Sequence, residues 1–426
     1  MNLTSVDPEA EAAGGVLSEA QVTYDEPTSR PWVVSSFYDQ WFLLGAWLFP
    51  FALLALVSAL EPTMGRLGAV ASAYLVFQFV DCAHIFITWP VLFGDRGIRA
   101  RYGDSNLLIF AGIVLVSIAC TYSGRATQMV YWTSFLFFGT WHNIRQHYGF
   151  LRLYQARTPQ MDRQAAKAEI LCLYGGTSAA FFTNIHFGWL YESFGPNVTW
   201  IQVPFAVPCV CFLVFLYGLF GTLKGLWQRR QAGLALGAPR LLHLVLVLSN
   251  FVLGLLVLTR GDLLLTVLFI TSYHDVQYLP LVWHMGRRRY SQGEGARDNP
   301  LAVLFRSGHF VYFLGALALG ALIHVTAVGQ LSFLNGLQFT AYALTDEPGW
   351  MNYVANGFIA TSLAHFILDG RIWKFSEDSR LRDEFDLQRP SSSAAPGVVT
   401  GGEANRRSHG DDELGLSPGF VDRVRE

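Results

Sequence analysis

Apolar residues run along this chain in long unbroken blocks rather than in the alternation of a half-buried strand or the narrow stripe of a surface helix. Trp41 to Leu60, Leu107 to Cys120 and Leu241 to Leu258 are clear examples. At about 1.5 Å of rise per residue, such blocks approach or reach the ~20 residues a helix needs to cross a bilayer. Taken together they predict about ten helical spans, near 41–60, 67–93, 106–122, 129–150, 168–190, 201–223, 241–259, 262–285, 301–325 and 350–373. The links between them are short and basic or contain Gly and Pro, with no soluble insertion and no short-period repeat.

Basic residues mark alternate links. Arg96, Arg99 and Arg101 follow the second block, and Arg152, Arg157, Arg163 and Lys167 the fourth. Lys224, Arg229, Arg230 and Arg240 follow the sixth, Arg287, Arg288 and Arg289 the eighth, and Lys374 the tenth. By the positive-inside rule those links and both termini face the cytoplasm. The expected fold is therefore all-α, a polytopic transmembrane bundle. Residues 41–373 form the membrane domain, between a mobile N-terminal tail over 1–40 and a disordered C-terminal tail over 374–426, rich in Ser, Gly and charge. The expected location is a membrane of the bacterial inner type or its equivalent.

Composition sharpens this picture. Hydrophobic residues make up 52% of the chain and charged residues 15%, where soluble domains carry about a quarter charged, so a soluble enzyme is disfavoured. A formal net charge of -2 gives no basic excess for nucleic-acid binding. The five cysteines all fall in apolar blocks and are odd in number, which argues against a disulfide framework. Cys209-Val210-Cys211 lacks the spacing of a zinc or redox pair.

The histidines carry the chemistry. Ionisable side chains are costly within a bilayer and mark function by default. His84, His142, His309 and His365 each fall about eight or nine residues from the cytoplasmic end of their blocks, roughly 12–14 Å deep. His274, beside Asp275, is slightly deeper, whereas His147, His284 and Asp369 lie nearer the cytoplasmic mouth. Only His186 and His324 map to the opposite side, and His243 is expected at the interface. Asp81 and His84 are three apart, and His365 and Asp369 four apart, so each pair shares a helix face where a carboxylate can orient an imidazole or bind metal itself. His142 and His147, five apart, point about 140° away from each other on an ideal helix. A lone histidine in a membrane helix ordinarily makes an interhelical hydrogen bond; the shared depth of several points to a common polar site facing the cytoplasm. Arg145, Arg152, Arg287 and Arg371 are candidates for holding lipid headgroups, or serve topology alone.

This arrangement resembles the histidine-box membrane oxygenases, the fatty-acid desaturase and hydroxylase group. His142-Asn143-Ile144-Arg145-Gln146-His147 has the H-x4-H form of one of their boxes. The resemblance implies non-haem iron, one or two ions, activating oxygen against an unactivated carbon-hydrogen bond. A similar arrangement occurs in bacterial carotene dioxygenases, which are also helical membrane proteins with scattered histidine ligands. The resulting expectation is an iron-dependent oxidoreductase that desaturates, hydroxylates or cleaves a lipid or other hydrophobic substrate, surrounded by membrane lipids and served by an electron-donor protein. Candidate ligands are His84, His142, His147, His274, His284, His309 and His365, with Asp81, Asp275 and Asp369 as ligands or orienters. No residue is assigned a catalytic role. Two alternatives stand beside it: non-covalent haem b on axial histidines such as His142 and His284, and a proton-coupled transporter using a His/Asp relay that His186 and His324 extend.

Overall fold

The structure, a computed structural model, describes residues 31–187 apart from 124 and 159, 202–258, 263–290, 301–323 apart from 307, and 360–387 apart from 376 and 386. Among these residues regular structure is helical throughout, without a strand. Helices α1 (Ser36–Arg66) and α2 (Gly68–Gly94) are continuous except at Gly65, whose φ of +69° breaks the run. Left-handed backbone is open to glycine at little cost and commonly ends a helix. Then come α3 (Arg96–Tyr102), α4 (Ser105–Tyr122), α5 (Arg125–Ala156) and α6 (Arg163–Phe187). These are followed by α7 (Ala206–Gln231), α8 (Ala238–Leu258), α9 (Leu263–Tyr290), α10 (Leu301–Arg306) and α11 (His309–Ile323). Residues 360–368 form α12, and α13 is Ser379–Glu384.

Every apolar block thus contains helix, but not every helix is apolar enough to be a candidate span. Among the described residues three are long and apolar enough to cross a membrane, α1, α2 and α7; the pair α3 and α4, bent by 77°, gives a fourth if counted as one span. Helices α5 and α9 carry the polar sequences His142-Asn143-Ile144-Arg145-Gln146-His147 and His274-Asp275-Val276-Gln277, which lower their hydropathy. The residues that build the site thereby weaken the membrane signal of the helices that hold them.

Packing divides into a main core and a flanking pair. Leu43, Ile87, Val91, Phe150, Tyr278, Val282, Met285, Phe305, Leu368 and Phe385 belong to one buried cluster drawn from α1, α2, α5, α9, α10, α12 and the C-terminal segment. Helix α6 packs most extensively on α7, in a contact that needs glycine. A Cβ on Gly218 would lie 2.4 Å from the backbone nitrogen of Cys172, and one on Gly175 would lie 2.5 Å from that of Phe215. Small residues at such positions let helix backbones meet closely.

The ends of the described chain differ from the expected tails. Val33 is buried, and the Asp39 carboxylate, fully buried, accepts from the backbone nitrogens of Val33, Val34 and Ser35 and from the Tyr154 hydroxyl. Residues 31–40 therefore pack on α5. At the other end Asp378 caps α13 through the Leu381 nitrogen at 3.3 Å, and Leu381 and Phe385 are fully buried. The segment 374–387 is part of the folded body, a correction to a tail beginning at 374. Arg289 makes the difference: on one buried guanidinium it gathers Asp95, Asp378 and Glu384, at 3.5, 3.2 and 2.6 Å. The rest of both tails lies outside the described residues.

Candidate metal centre

Four helices bring their polar residues to one place. Helix α2 supplies Asp81 and His84, α5 supplies His142, α9 supplies His274 and Asp275, and α12 supplies His365. His84, His142 and His274 are buried, and one ligand atom from each lies within 4.8 Å of the others. His365 joins them, its Nε2 lying 3.1 Å from Nε2 of His84 and its ring centroid 4.7 Å from that of His142. Bonds of about 2.0–2.1 Å from one metal, opening at about 90–110°, separate two ligand nitrogens by about 2.9–3.4 Å. The His84 and His365 nitrogens already stand at that separation.

Carboxylates complete the set. Nδ1 of His84 is 2.6 Å from Oδ1 of Asp275, yet the contact lacks the alignment of an N–H···O bond. Nδ1 therefore remains a buried atom without a hydrogen-bond partner, as do His142 Nε2, His274 Nδ1, Asp275 Oδ2 and His365 Nδ1. Asp81, His84 and Asp275 also have ligand atoms within 4.8 Å of one another. Among the described residues no lysine or arginine forms an ion pair with Asp81 or Asp275. Buried charges without partners are costly, and a cation held between carboxylates and neutral imidazoles removes that cost. Nitrogen and oxygen donors of this kind suit first-row divalent ions. The His142 ring also bonds the backbone at Phe366 and stacks on the Phe366 side chain at 5.2 Å, the kind of outer contact that fixes a metal-bound imidazole.

Of the other expected ligands, His147 and His284 make different contacts. His147 is buried beside the centre, 6.1 Å from His274 between ring centroids, but its Nδ1 lies 3.0 Å from His243 Nε2. His243, placed by the sequence at the interface, is only 1% exposed, since the second turn of α8 packs on α5 at Phe150 and Tyr154. His284 lies against Phe385, about three turns along α9 from His274. His309 opens α11, and its side chain, like all of His324, lies outside the described residues.

Asp369 does not orient His365. The last turn of α12 tightens into a 3₁₀ turn at Asp369–Arg371, and the Asp369 carboxylate accepts from the Tyr278 hydroxyl instead. Tyr278 also bonds Thr88 at 2.9 Å, and its ring lies 4.5 Å from that of His84. Tyr278 is absent from the candidates drawn from the sequence, although it lies four residues after His274 and so on the same helix face, a usable signal. Gln146, whose amide bonds the backbone oxygen of His274 at 3.0 Å, ties α5 to α9.

The headgroup candidates have internal partners. Arg371 bonds Ser105 and Asn106 and lies over the Tyr102 ring. Arg145 bonds Tyr174 and covers Tyr148, Arg152 bonds Gln155, and Arg287 lies over Trp283.

Compared with family models, with curated proteins and with solved structures, the chain matches none.

Proposed function

We propose that this chain is an integral-membrane, metal-dependent oxidoreductase with a non-haem iron centre, acting on a lipid or other hydrophobic substrate by desaturation, hydroxylation or oxidative cleavage. One observation carries the proposal: three buried imidazoles from three helices converge within 4.8 Å, beside Asp81 and Asp275, with which no lysine or arginine among the described residues forms an ion pair. The proposal keeps about ten spans with cytoplasmic termini, which places the centre in the cytoplasmic half of the bilayer. An electron-donor protein would dock on that side.

Iron bound here would supply oxygen activation; the protein holds it and limits what reaches it. Buried imidazoles beside carboxylates that lack a lysine or arginine partner among the described residues favour a ferrous or ferric ion over none. Burial of His84, His142, His274 and His365 excludes water, which protects reactive species from quenching. The resemblance to histidine-box oxygenases supports the same chemistry. The haem alternative has less support, because His284 packs on Phe385 while His142 sits among three other imidazoles.

Elemental analysis and an optical spectrum of detergent-purified full-length protein test the proposal. Iron at about one or two per chain without a Soret band is expected. A metal-free protein after anaerobic, chelator-free purification, or a Soret band, overturns it. Lipid profiling of a deletion strain then identifies the substrate.

A further inference from the structure

Helices α5 and α6 share a groove whose two ends differ in chemistry. On α5, Ser134, Phe138, Trp141, Arg145 and Tyr148 follow one another at steps of four, three, four and three residues, so they form one stripe. Tyr174 of α6 meets one end of the stripe. Its ring lies 5.7 Å from that of Trp141 and 5.9 Å from that of Tyr148, and its hydroxyl accepts from Arg145 Nη1 at 3.1 Å. The Arg145 guanidinium also covers the Tyr148 ring at 5.0 Å. About two turns further along α6, Phe181 meets Phe137 at 6.1 Å. There a cavity of about 330 Å³ opens between Ser134, Phe137, Phe138, Phe181, Phe182 and Ile185.

The arginine end keeps an uncompensated charge. Arg240 is matched by Glu169, and Arg229 donates to the backbone oxygens of Gln160 and Ala235. Arg145 is exposed, and its partners are neutral tyrosines, with no carboxylate among the described residues. Because the Tyr174 oxygen accepts from Arg145, the Tyr174 hydroxyl hydrogen is left to donate to an anion. The cavity end suits hydrocarbon: Ser134 turns its hydroxyl onto the backbone oxygen of Val130 at 2.8 Å, and the other named walls are apolar. Eleven residues of α5 separate Ser134 from Arg145, a rise of about 16 Å, close to the ~15 Å half-thickness of a bilayer's hydrocarbon core. An acyl chain of one leaflet therefore reaches from the guanidinium to the cavity. A water-soluble anion would leave the cavity unfilled, and an uncharged chain would leave Arg145 unanswered.

We infer that the α5/α6 groove binds one anionic phospholipid, its phosphate held by Arg145 and Tyr174 and one acyl chain laid past Trp141 into the cavity at Phe137 and Phe181. Trp141 and Phe137, 42% and 40% exposed, are the rings the chain covers. The site goes beyond the metal-centre reading and does not depend on it.

Tryptophan quenching tests it, with full-length protein in phosphatidylcholine vesicles that carry rising fractions of either phosphatidylglycerol or phosphatidylcholine brominated in the acyl chains. Bromine quenches tryptophan on contact, and the difference between wild type and Trp141→Phe isolates the emission of Trp141. Half-quenching is expected at a fraction of brominated phosphatidylglycerol about fivefold below that of brominated phosphatidylcholine, the weight of one basic side chain against anionic lipid. Arg145→Gln should remove that preference, with circular dichroism confirming that the variant is folded. Lys224→Gln, which removes an exposed charge on α7, should keep it. Equal quenching by the two lipids in the wild type overturns the site, and that comparison needs no charge variant. The same fall in both charge variants also overturns it, because the preference is then one of general surface charge. A Trp141 that neither lipid quenches overturns it as well, since another part of the chain or a second copy then covers the groove.

Discussion

Nε2 of His365 stands 3.1 Å from Nε2 of His84, although 281 residues separate them in the chain. Two neutral imidazoles can share one proton at that distance, or both can bind one metal. The second arrangement makes α12 part of the centre.

On that basis His365→Ala is expected to weaken iron binding at least about tenfold, as is His142→Ala. Metal titration of the purified variants checks this. Unchanged iron content in both would remove the imidazole set as the metal centre.

Metal binding should also appear as stability. A ligand that binds only the folded state at a hundred times its Kd adds about 2.7 kcal/mol. Thermal melting in detergent is expected to shift down after chelation and to recover on adding ferrous ion. His84→Ala should melt at one temperature with or without metal, because it removes the residue shared by both triads.

Tyr278 supports the centre without binding metal. Tyr278→Phe removes the bonds to Thr88 and Asp369 and leaves Asp369 buried without that donor. The expected cost is about 1–3 kcal/mol. Denaturation should record this loss while metal content stays at the wild-type value; loss of metal would show that Tyr278 does more than hold Asp369.

Arg289 fastens the C-terminal segment. Arg289→Ala leaves Asp95, Asp378 and Glu384 buried without their shared cation, and breaking a buried ionic cluster in this way costs about 3–5 kcal/mol. Limited proteolysis should then cut within 374–387, where the wild type resists. Equal resistance would mean that Leu381 and Phe385 hold the segment by apolar contact alone.

The same segment should respond to pH. Burial pushes the Glu384 carboxyl up to about 7 from an ordinary 4.5, against the pull of Arg289. With its folded-state pKa raised, the folded protein binds more protons than the unfolded chain between those values, so stability falls as pH rises from about 4.5 to about 7. Denaturant unfolding of the wild type relative to Glu384→Gln should show that fall. Parallel stability curves for the two proteins across the window would refute it.

How much of this was legible in the sequence depends on whether a feature is local or relational. Unbroken apolar blocks specify helices by themselves, and each described block contains one, because hydrophobicity and helical rise are properties of a contiguous stretch. Residue count along a helix converts to height, which put His84, His142, His309 and His365 at one level with His274 slightly deeper; of these the described side chains of His84, His142, His274 and His365 lie together. Height leaves rotation about the helix axis open, and rotation depends on how neighbouring helices pack. For that reason Asp369 met Tyr278 rather than His365, and His147 met His243 rather than the centre. The docking of Phe385 was likewise invisible in a polar stretch, because it depends on Arg289 nearly a hundred residues earlier drawing in Asp378 and Glu384. The sequence alone determined a helical, apolar protein with a histidine layer. Tertiary packing decided which nitrogen faces which carboxylate, since that geometry arises only when separate helices turn toward one another.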